Sequence, residues 1–293
     1  MKKEPFRLGI VPADAYRERR KAPGYDWVKS IIVCAFPYRQ AKAQGRYLPA
    51  RFGYGSDYHA VLSAKLEEVA RTRGLSRYEI LVDRSAFDEK LLAWLAGLGF
   101  LGRNTLLITP EFGSYVVIGT ILTDHVFPEY SRPLEASCGE CDLCVKKCPS
   151  SALAGGFNRE SCLSFLTQVA SEDFPRYDLL KDAYYGCDIC QEVCPHNRGK
   201  DEYLREFDFS EDSVLTLAEM ESLNRKTFQE KFKNKNFAWI GYLKMLRNII
   251  VLEANNNNIN IKKIEYFQKL HADAPWFYRH MEYLKKRLKN GAQ

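Results

Sequence analysis

The sequence has no apolar run that approaches the ~20 residues needed to cross a membrane as a helix. Its opening residues, MKKEPF, are charged and lack the apolar core of a secretory signal peptide. These absences argue against a membrane protein and against an exported protein held by disulfides. With 46% hydrophobic and 27% charged residues, the composition is typical of a soluble globular protein. We expect a cytoplasmic location.

A GxGxxG dinucleotide motif in its usual setting, between a strand and a helix, is also absent. The glycine-rich segment 97–104 reads GLGFLGRN, and its glycines at 97, 99 and 102 have the GxGxxG spacing, but a predicted helix rather than a strand precedes them. Glycines here favour either a close backbone approach to a bulky ligand or turns through positive φ. A nucleotide-binding site is therefore not favoured.

Cysteine, by contrast, is concentrated: eight of the nine cysteines fall within residues 138–194. The first four have the C-x2-C-x2-C-x3-C-P spacing of two-cluster ferredoxins, and the last three repeat its end with a second proline. In that pattern the fourth cysteine binds the other cluster. We therefore predict two [4Fe–4S] clusters, the first bound by Cys138, Cys141, Cys144 and Cys194, the second by Cys148, Cys162, Cys187 and Cys190.

Two other interpretations of the cysteines are less favoured. Disulfides require an oxidising compartment. Zinc sites prefer two CxxC pairs separated by a longer spacer. Cys34 lies in the apolar segment SIIVCAFP and is expected to be a packing residue.

The segments before the cysteines predict a mixed α/β body. Short apolar, β-rich runs indicate strands, and apolar residues at helical spacing indicate a helix. The predicted strands are 30–37, 80–82 and 113–122, and a helix is predicted over 87–98.

Polar residues at two of these boundaries are candidates for function. Ser56 or Asp57 is a predicted helix N-cap, and His59 in the following first turn is expected to have a surface or capping role. Asp83 directly follows a predicted strand. On local grounds alone, an aspartate there is more typical of a turn or a cap than of catalysis.

The C-terminal part is predicted to be helical. Helices are expected over 227–232, 239–253 and 259–288, with an asparagine turn at 255–258. The last two resemble one unit of a helical-repeat solenoid. The fold class is therefore α+β, with an α/β domain at 1–134, a double-cluster ferredoxin-like domain at 135–200 and a basic helical domain at 201–293.

Positive charge is concentrated at the C-terminal end. Residues 225–293 contain 15 Lys and Arg against 5 Asp and Glu, a net charge of +10, whereas the whole chain carries +6. Such a segment suggests a polyanionic partner, most simply a nucleic acid. A solvated helical surface without a partner explains the same charge.

Several segments together resemble the epoxyqueuosine reductases. These enzymes carry out the last step of queuosine synthesis in tRNA with cobalamin and iron–sulfur clusters. The similarity covers about residues 28–250. The matching segments are YGSDYH at 54–59, Val82-Asp83, AGLGF at 96–100, Asn104 with TPEFGSY at 109–115, CLSFLTQ at 162–168, YGC at 185–187 and the cysteine pattern.

The resemblance implies that the domain at 1–134 is a cobalamin-binding catalytic domain, with a role for Asp83. Asp83 occupies the position of the family's general acid, and a carboxyl group can donate a proton there if its pKa is raised. The resemblance further implies cobalamin contacts from Arg20, Asn104, Leu107, Ser114, Ile118, Ser164 and Gln168.

The implied reaction is the reduction of epoxyqueuosine to queuosine in tRNA. Two low-potential clusters would reduce the cobalt to Co(I), which attacks an epoxide carbon while Asp83 protonates the departing oxygen. The implied partners are a queuosine-family tRNA anticodon stem-loop and an external donor such as flavodoxin or ferredoxin, and we expect a monomer.

The chain departs from the family at both ends. Part of the opening region that helps to enclose cobalamin is missing, and there is room for about one helical pair where the family has a longer array that contributes to tRNA binding. Two alternatives remain: an electron-transfer protein without cobalamin, and a cobalamin-dependent reductase of a small molecule. Asp83 and the glycine segment argue against the first. The absence of a twin-arginine signal and the basic C-terminal segment argue against the second.

Overall fold

The computed structural model describes residues 5–83, 86–171 and 176–290. The chain forms two compact units, each built from several segments. The sheet unit comprises Met1–Ala41, Ser56–Lys147 and Ile189–Asp208. The helical unit comprises Lys42–Gly55, Cys148–Asp188 and Phe209–Gln293. Within the described ranges, none of the helices is both long and apolar enough to span a membrane.

The secondary structure mixes short strands with helices, as the sequence predicts. The strands are β1 (Arg7–Pro12), β2 (Ser30–Pro37), β3 (Leu48–Pro49), β4 (Tyr78–Leu81), β5 (Phe100–Leu101), β6 (Leu107–Ile108), β7 (Val116–Thr123) and β8 (Ala183–Tyr185). The α-helices are α1 (Ala13–Arg17), α2 (Tyr58–Thr72), α3 (Glu89–Leu95), α4 (Leu143–Lys147), α5 (Leu163–Leu166), α6 (Ile189–Glu192), α7 (Leu217–Ser222), α8 (Arg225–Phe232), α9 (Tyr242–Asn255), α10 (Ile261–Leu270) and α11 (Pro275–Asn290).

The sheet unit is built on a four-stranded antiparallel sheet in the order β1-β2-β7-β4. Every residue of β2 is buried, which explains why this strand reads as a continuous apolar run rather than an alternating one. Strand β4 lies at the edge of the sheet, and Asp83 follows two residues after its last residue, Leu81. The predicted strands 30–37 and 113–122 correspond to β2 and β7.

Helices cover both faces of this sheet. On one face Ile31, Val33 and Ala35 of β2 join the apolar residues of α1 and α3 in a single core. On the other face α2 packs against β7 over Gly119, where an added Cβ would lie 2.6 Å from Leu66 Cδ1. Gly119 therefore permits the close approach of helix and sheet. Cys34 is fully buried, in agreement with its predicted packing role.

The helical unit is organised around α9. Six of its apolar side chains are fully buried, and each such side chain contributes about 1.5–3 kcal/mol. The same helix buries three polar residues, Arg247, Asn248 and Glu253. Asn248 Nδ2 donates to the carbonyls of Thr167, at 2.8 Å, and Tyr184, at 2.7 Å. Helix α9 thus fixes the segment that contains α5 and β8.

One predicted helix is wrong in its extent. The single helix expected over 259–288 is two helices, α10 and α11, which pack against each other. Pro275 is the first residue of α11, and it has no N–H to continue a preceding helix. The helix predicted over 87–98 is also shorter, because Asp88 caps it: the Asp88 carboxylate accepts the Leu91 N–H.

Candidate active site

Four cysteines of the sheet unit form the first predicted cluster site. Cys138 and Cys194 pack with Phe100 and Ile108 in a small apolar cluster. Burial raises the pKa of Cys194, and the neighbouring Cys138 and Cys141 thiols raise it further. Burial likewise raises the pKa of Cys144, with added contributions from Cys138 and Cys194. Cys144 and Cys194 therefore interact electrostatically with each other and with Cys138, and Cys194 also with Cys141.

These four cysteines are better suited to binding a metal cluster than to remaining as unligated thiols. A buried group of thiolates is unfavourable unless metal charge compensates it. The Arg103 N–H points at Cys138 Sγ across 3.5 Å, a weak donor contact to the sulfur. Among the described residues, no group of three or more His, Cys, Asp or Glu side chains is arranged so that it could hold a single metal ion. A [4Fe–4S] cube binds each thiolate at a different iron, so its ligands need not converge on a single point.

The second predicted cluster set is distributed between the two units. Cys148, Cys162 and Cys187 belong to the helical unit, whereas Cys190 lies on α6 of the sheet unit. Cys162 immediately precedes α5, and the Gly186 N–H donates to Thr167 Oγ1 at 2.9 Å. That bond links the Cys162 segment to the segment that carries Cys187.

Asp83 follows β4 with its backbone in the left-handed region, at φ 62°. Its N–H donates to Glu89 Oε1 at 2.7 Å. Its carboxylate oxygen Oδ2 accepts a hydrogen bond from the Tyr58 hydroxyl at 3.0 Å and lies 3.4 Å from His59 Nε2. The side chain is 59% exposed. Asp83 is therefore held at both its backbone and its carboxylate while remaining accessible.

His59 connects Asp83 to Asp57. Asp57 caps α2 by accepting the His59 N–H at 3.0 Å, and the same oxygen lies 2.7 Å from His59 Nδ1. Hydrogen bonds with Asp57 and Asp83 raise the pKa of His59 to about 9, although burial opposes the rise. Burial tends to raise the pKa of Asp57, but the bonds from His59 outweigh it and lower that pKa. The sequence predicts the cap correctly but not the contact between His59 and Asp83.

Glu89 is a second residue that sequence reasoning missed. Burial raises its pKa to about 7, against the lowering effect of the Asp83 N–H. The Asp83 and Asp88 carboxylates raise it further, and His59 lowers it. A charged residue in the first turn of a helix is common, so the sequence offers no signal that Glu89 turns inwards.

The residues predicted to contact cobalamin occupy different environments. Arg20 is exposed and Leu107 is buried in the core of the sheet unit, against which Ile118 is partly buried. Ser164 and Gln168 belong to the helical unit, where Gln168 Nε2 donates to the Ser164 carbonyl at 2.9 Å.

Ser114 and Asn104 differ in how their polar atoms are satisfied. Ser114 Oγ donates to Gln191 Oε1 at 3.0 Å, and its N–H donates to Asn197 Oδ1 at 2.7 Å. Asn197, which sequence reasoning missed, thus ties the loop after Cys194 to the start of β7. Asn104 is 5% exposed, and its Nδ2 group has no hydrogen-bond partner in the structure. This buried donor fits a ligand that carries an acceptor.

The glycine-rich segment is explained by packing within the protein. Gly97 has φ 67°, and an added Cβ would lie 2.3 Å from the Arg132 carbonyl oxygen. An added Cβ on Gly99 would lie 2.2 Å from the Ile108 carbonyl oxygen. Positive φ, one of the two predicted reasons, therefore applies to Gly97. Close approach, the other reason, applies to both glycines, but the group that approaches them is protein backbone rather than a ligand.

Comparison with known protein families identifies two matching segments. Residues 21–83 match the family described as "Epoxyqueuosine reductase QueG, DUF1730". Residues 137–197 match the 4Fe-4S double cluster binding domain. The second match contains all eight clustered cysteines, and the first ends at Asp83.

Curated relatives and solved structures agree with these matches. An epoxyqueuosine reductase of Listeria monocytogenes is 38% identical over 77% of this chain and 64% of its own length, and that of Bacillus subtilis is 33% identical over 78% and 63%. The chain thus spans less than two thirds of the length of these relatives. The Streptococcus thermophilus epoxyqueuosine reductase structure is 29% identical with a TM-score of 0.82, covering 95% of this chain and 85% of that one.

One further structure, at 27% identity and a TM-score of 0.80 over 89% of this chain and 81% of that chain, is an epoxyqueuosine reductase with an epoxyqueuosine-modified tRNA-Tyr stem loop. By sequence and by fold, this chain is homologous to the epoxyqueuosine reductases.

Proposed function

We propose that the protein reduces epoxyqueuosine to queuosine in tRNA. The observation that carries the proposal is the environment of Asp83, whose carboxylate is held by Tyr58 and His59 in the same compact unit as four clustered thiols. This arrangement combines an accessible proton-transfer group with a predicted electron carrier. Epoxide deoxygenation requires both.

The stoichiometry of the reaction defines what the residues must supply. An epoxide, two electrons and two protons give an alkene and one water molecule. Both C–O bonds break, and the oxygen accepts both protons. Asp83 is the proposed donor to this oxygen, because its carboxylate is the accessible end of the hydrogen-bonded group formed with Tyr58 and His59.

The redox groups would be held by the predicted residues. Cys138, Cys141, Cys144 and Cys194 would bind one [4Fe–4S] cluster, and Cys148, Cys162, Cys187 and Cys190 the other, for single-electron supply. Cobalamin, when bound, would supply a reduced cobalt centre able to attack an epoxide carbon. The unpartnered Asn104 Nδ2 group supports a role for Asn104 in holding it. The remaining proposed contacts are Arg20, Leu107, Ser114, Ile118, Ser164 and Gln168.

The proposed partners follow from charge and chemistry. The +10 charge of residues 225–293 suits a tRNA stem-loop, since phosphate contacts depend on Lys and Arg. Electrons would come from an external low-potential donor of the flavodoxin or ferredoxin type.

The decisive experiment uses Asp83→Asn with Asp201→Asn as an exposed control from the same unit. Each protein is reconstituted with iron, sulfide and cobalamin and given tRNA that contains epoxyqueuosine. Queuosine is then quantified by mass spectrometry of the nucleosides. We expect wild type and Asp201→Asn to form queuosine, and Asp83→Asn to keep its iron and cobalamin but lose turnover by roughly 10²–10⁴-fold.

Two results would overturn parts of the proposal. Cluster-loaded wild-type protein that takes up no cobalamin and forms no queuosine would remove the function itself and favour an electron-transfer protein. Normal turnover by Asp83→Asn would remove Asp83 as the proton donor.

A further inference from the structure

The reaction needs more protons than Asp83 can carry. The epoxide oxygen leaves as water and so takes up two protons, whereas one carboxyl group holds a single proton. Between the two transfers Asp83 must be protonated again, or another group must deliver the second proton. A carboxylate exchanges protons with a neighbour that lies within hydrogen-bond reach.

His59 is positioned for this task. Its Nε2 atom is 3.4 Å from Asp83 Oδ2, and its Nδ1 atom is 2.7 Å from Asp57 Oδ1. The ring stacks on Tyr58, with a centroid separation of 4.1 Å, so it cannot turn freely. Because both ring nitrogens face carboxylates, both are expected to carry protons. Catalytic hydrogen bonds of this length often shorten when the substrate binds.

The surrounding charges favour the protonated ring. At the start of α2 the neighbours of His59 are the carboxylate of the N-cap Asp57 and the stacked ring of Tyr58. From the loop after β4 it faces Asp83, and from α3 it interacts with Glu89. The hydrogen bonds with the two aspartates raise the pKa of His59 to about 9, so the ring is a cation at neutral pH.

We propose that His59, oriented by Asp57, is the proton reservoir that protonates Asp83 again between the two proton transfers. The proton moves from His59 Nε2 to Asp83 Oδ2, and the neutral imidazole keeps its Nδ1 proton on Asp57. His59 then regains a proton from solvent, to which its side chain is 34% exposed. No electron moves in this step. The proposal rests on the proposed function, and it assigns His59 a positioning and proton-supplying role through Asp83.

The first test is independent of turnover. The His59 imidazole is titrated by NMR in the wild-type protein and in Asp57→Asn, with His125, an exposed histidine, as an internal control. We expect His59 to titrate near pH 9 in wild type and at clearly lower pH in Asp57→Asn, with His125 unchanged. A wild-type His59 that titrates at its ordinary pH would overturn the proposal even if the enzyme is active.

The second test measures single turnover of epoxyqueuosine tRNA against pH. We expect wild-type rates to fall as pH rises through about 9, because His59 then loses its proton. His59→Gln, which forms hydrogen bonds but carries no transferable proton, should be slower by roughly 10–100-fold with KM unchanged and without that limb.

Added imidazole should partly rescue His59→Gly. A His59→Gln rate equal to wild type, or a loss in both variants that imidazole does not rescue, would overturn the proposal. Inactivity of the wild type would instead refute the proposed function.

Discussion

The backbone of Asp83 is the least ordinary feature among the candidate residues. A non-glycine residue in the left-handed region costs about 1–2 kcal/mol, although aspartate adopts it more readily than most. The bond from the Asp83 N–H to Glu89 offsets part of this cost and fixes the turn after β4. Glu89 therefore acts on Asp83 through its backbone, whereas Tyr58 and His59 act through its carboxylate.

Glu89 should make stability depend on pH. Burial raises its pKa from the usual 4.5 to about 7, so the folded protein keeps a proton that the unfolded chain has already lost. The stability from this group is present below about pH 4.5 and decreases as pH rises through 7. Glu89→Gln keeps an oxygen acceptor but never ionises. We expect its free energy of unfolding, relative to wild type, to increase by about 1–3 kcal/mol from pH 5 to pH 8 in denaturant titrations.

Glu89→Ala is the matched variant that also removes the acceptor. It should escape the same ionisation but leave the Asp83 N–H without Glu89, so queuosine formation should fall while Glu89→Gln stays near wild type. A stability difference between Glu89→Gln and wild type that is the same at pH 5 and pH 8 would contradict the assigned burial of this carboxyl.

At the scale of elements, α9 is the helix that positions the predicted cobalamin and cluster segment of the helical unit. Asn248 bonds the carbonyls of Thr167 and Tyr184, and Arg247 Nη2 donates to the carbonyls of Leu166 and Val169 at 3.1 and 2.9 Å. These buried donors satisfy the end of α5, the residues after it and strand β8. An apolar residue could pack in the same place but could not fix those carbonyls.

Asn248→Ala should therefore weaken the second cluster site. Two buried carbonyls lose their donor, at a cost of about 1–3 kcal/mol each, so thermal unfolding should begin at lower temperature. Iron content after reconstitution should fall towards half, since Cys162 and Cys187 lie in the released segments and the first cluster set does not. Asn234→Ala, an exposed asparagine of the same unit, is the control. Equal iron content in the two variants would contradict this role of α9.

The elements differ in how far sequence alone predicts them. Strand β2 is predicted to the residue, because a fully buried strand reads as one apolar run. The strands that pair with β2, and the need for glycine at 119 beneath α2, cannot be predicted from a local pattern, because both depend on how distant segments pack. The contact between His59 and Asp83 joins residues far apart in sequence and depends on the left-handed turn after β4, which no local pattern specifies. The cysteines are predictable because their spacing is the signal.

At the scale of the whole molecule, charge rather than fold gives the clearest indication of a macromolecular partner. The chain carries +6 overall, yet residues 225–293 carry +10, so the remainder is net negative. In the described part of that segment, exposed lysines include Lys286 and Lys289 on α11. A solvated surface without a partner would have the same composition. The two explanations differ in their response to salt.

Neutralising Lys286 and Lys289 to glutamine should weaken the binding of a queuosine-family tRNA stem-loop. If each lysine contacts a phosphate, the slope of log K against log salt concentration should become shallower by about 1 per lysine, because fewer counterions are released. The control removes the same charge from the sheet unit, with Arg71 and Arg73, both exposed, changed to glutamine. Binding is measured by fluorescence anisotropy over a range of salt concentrations. Equal slopes for the two double variants would indicate that the α11 lysines are a solvated surface, and that tRNA recognition, if present, uses other residues.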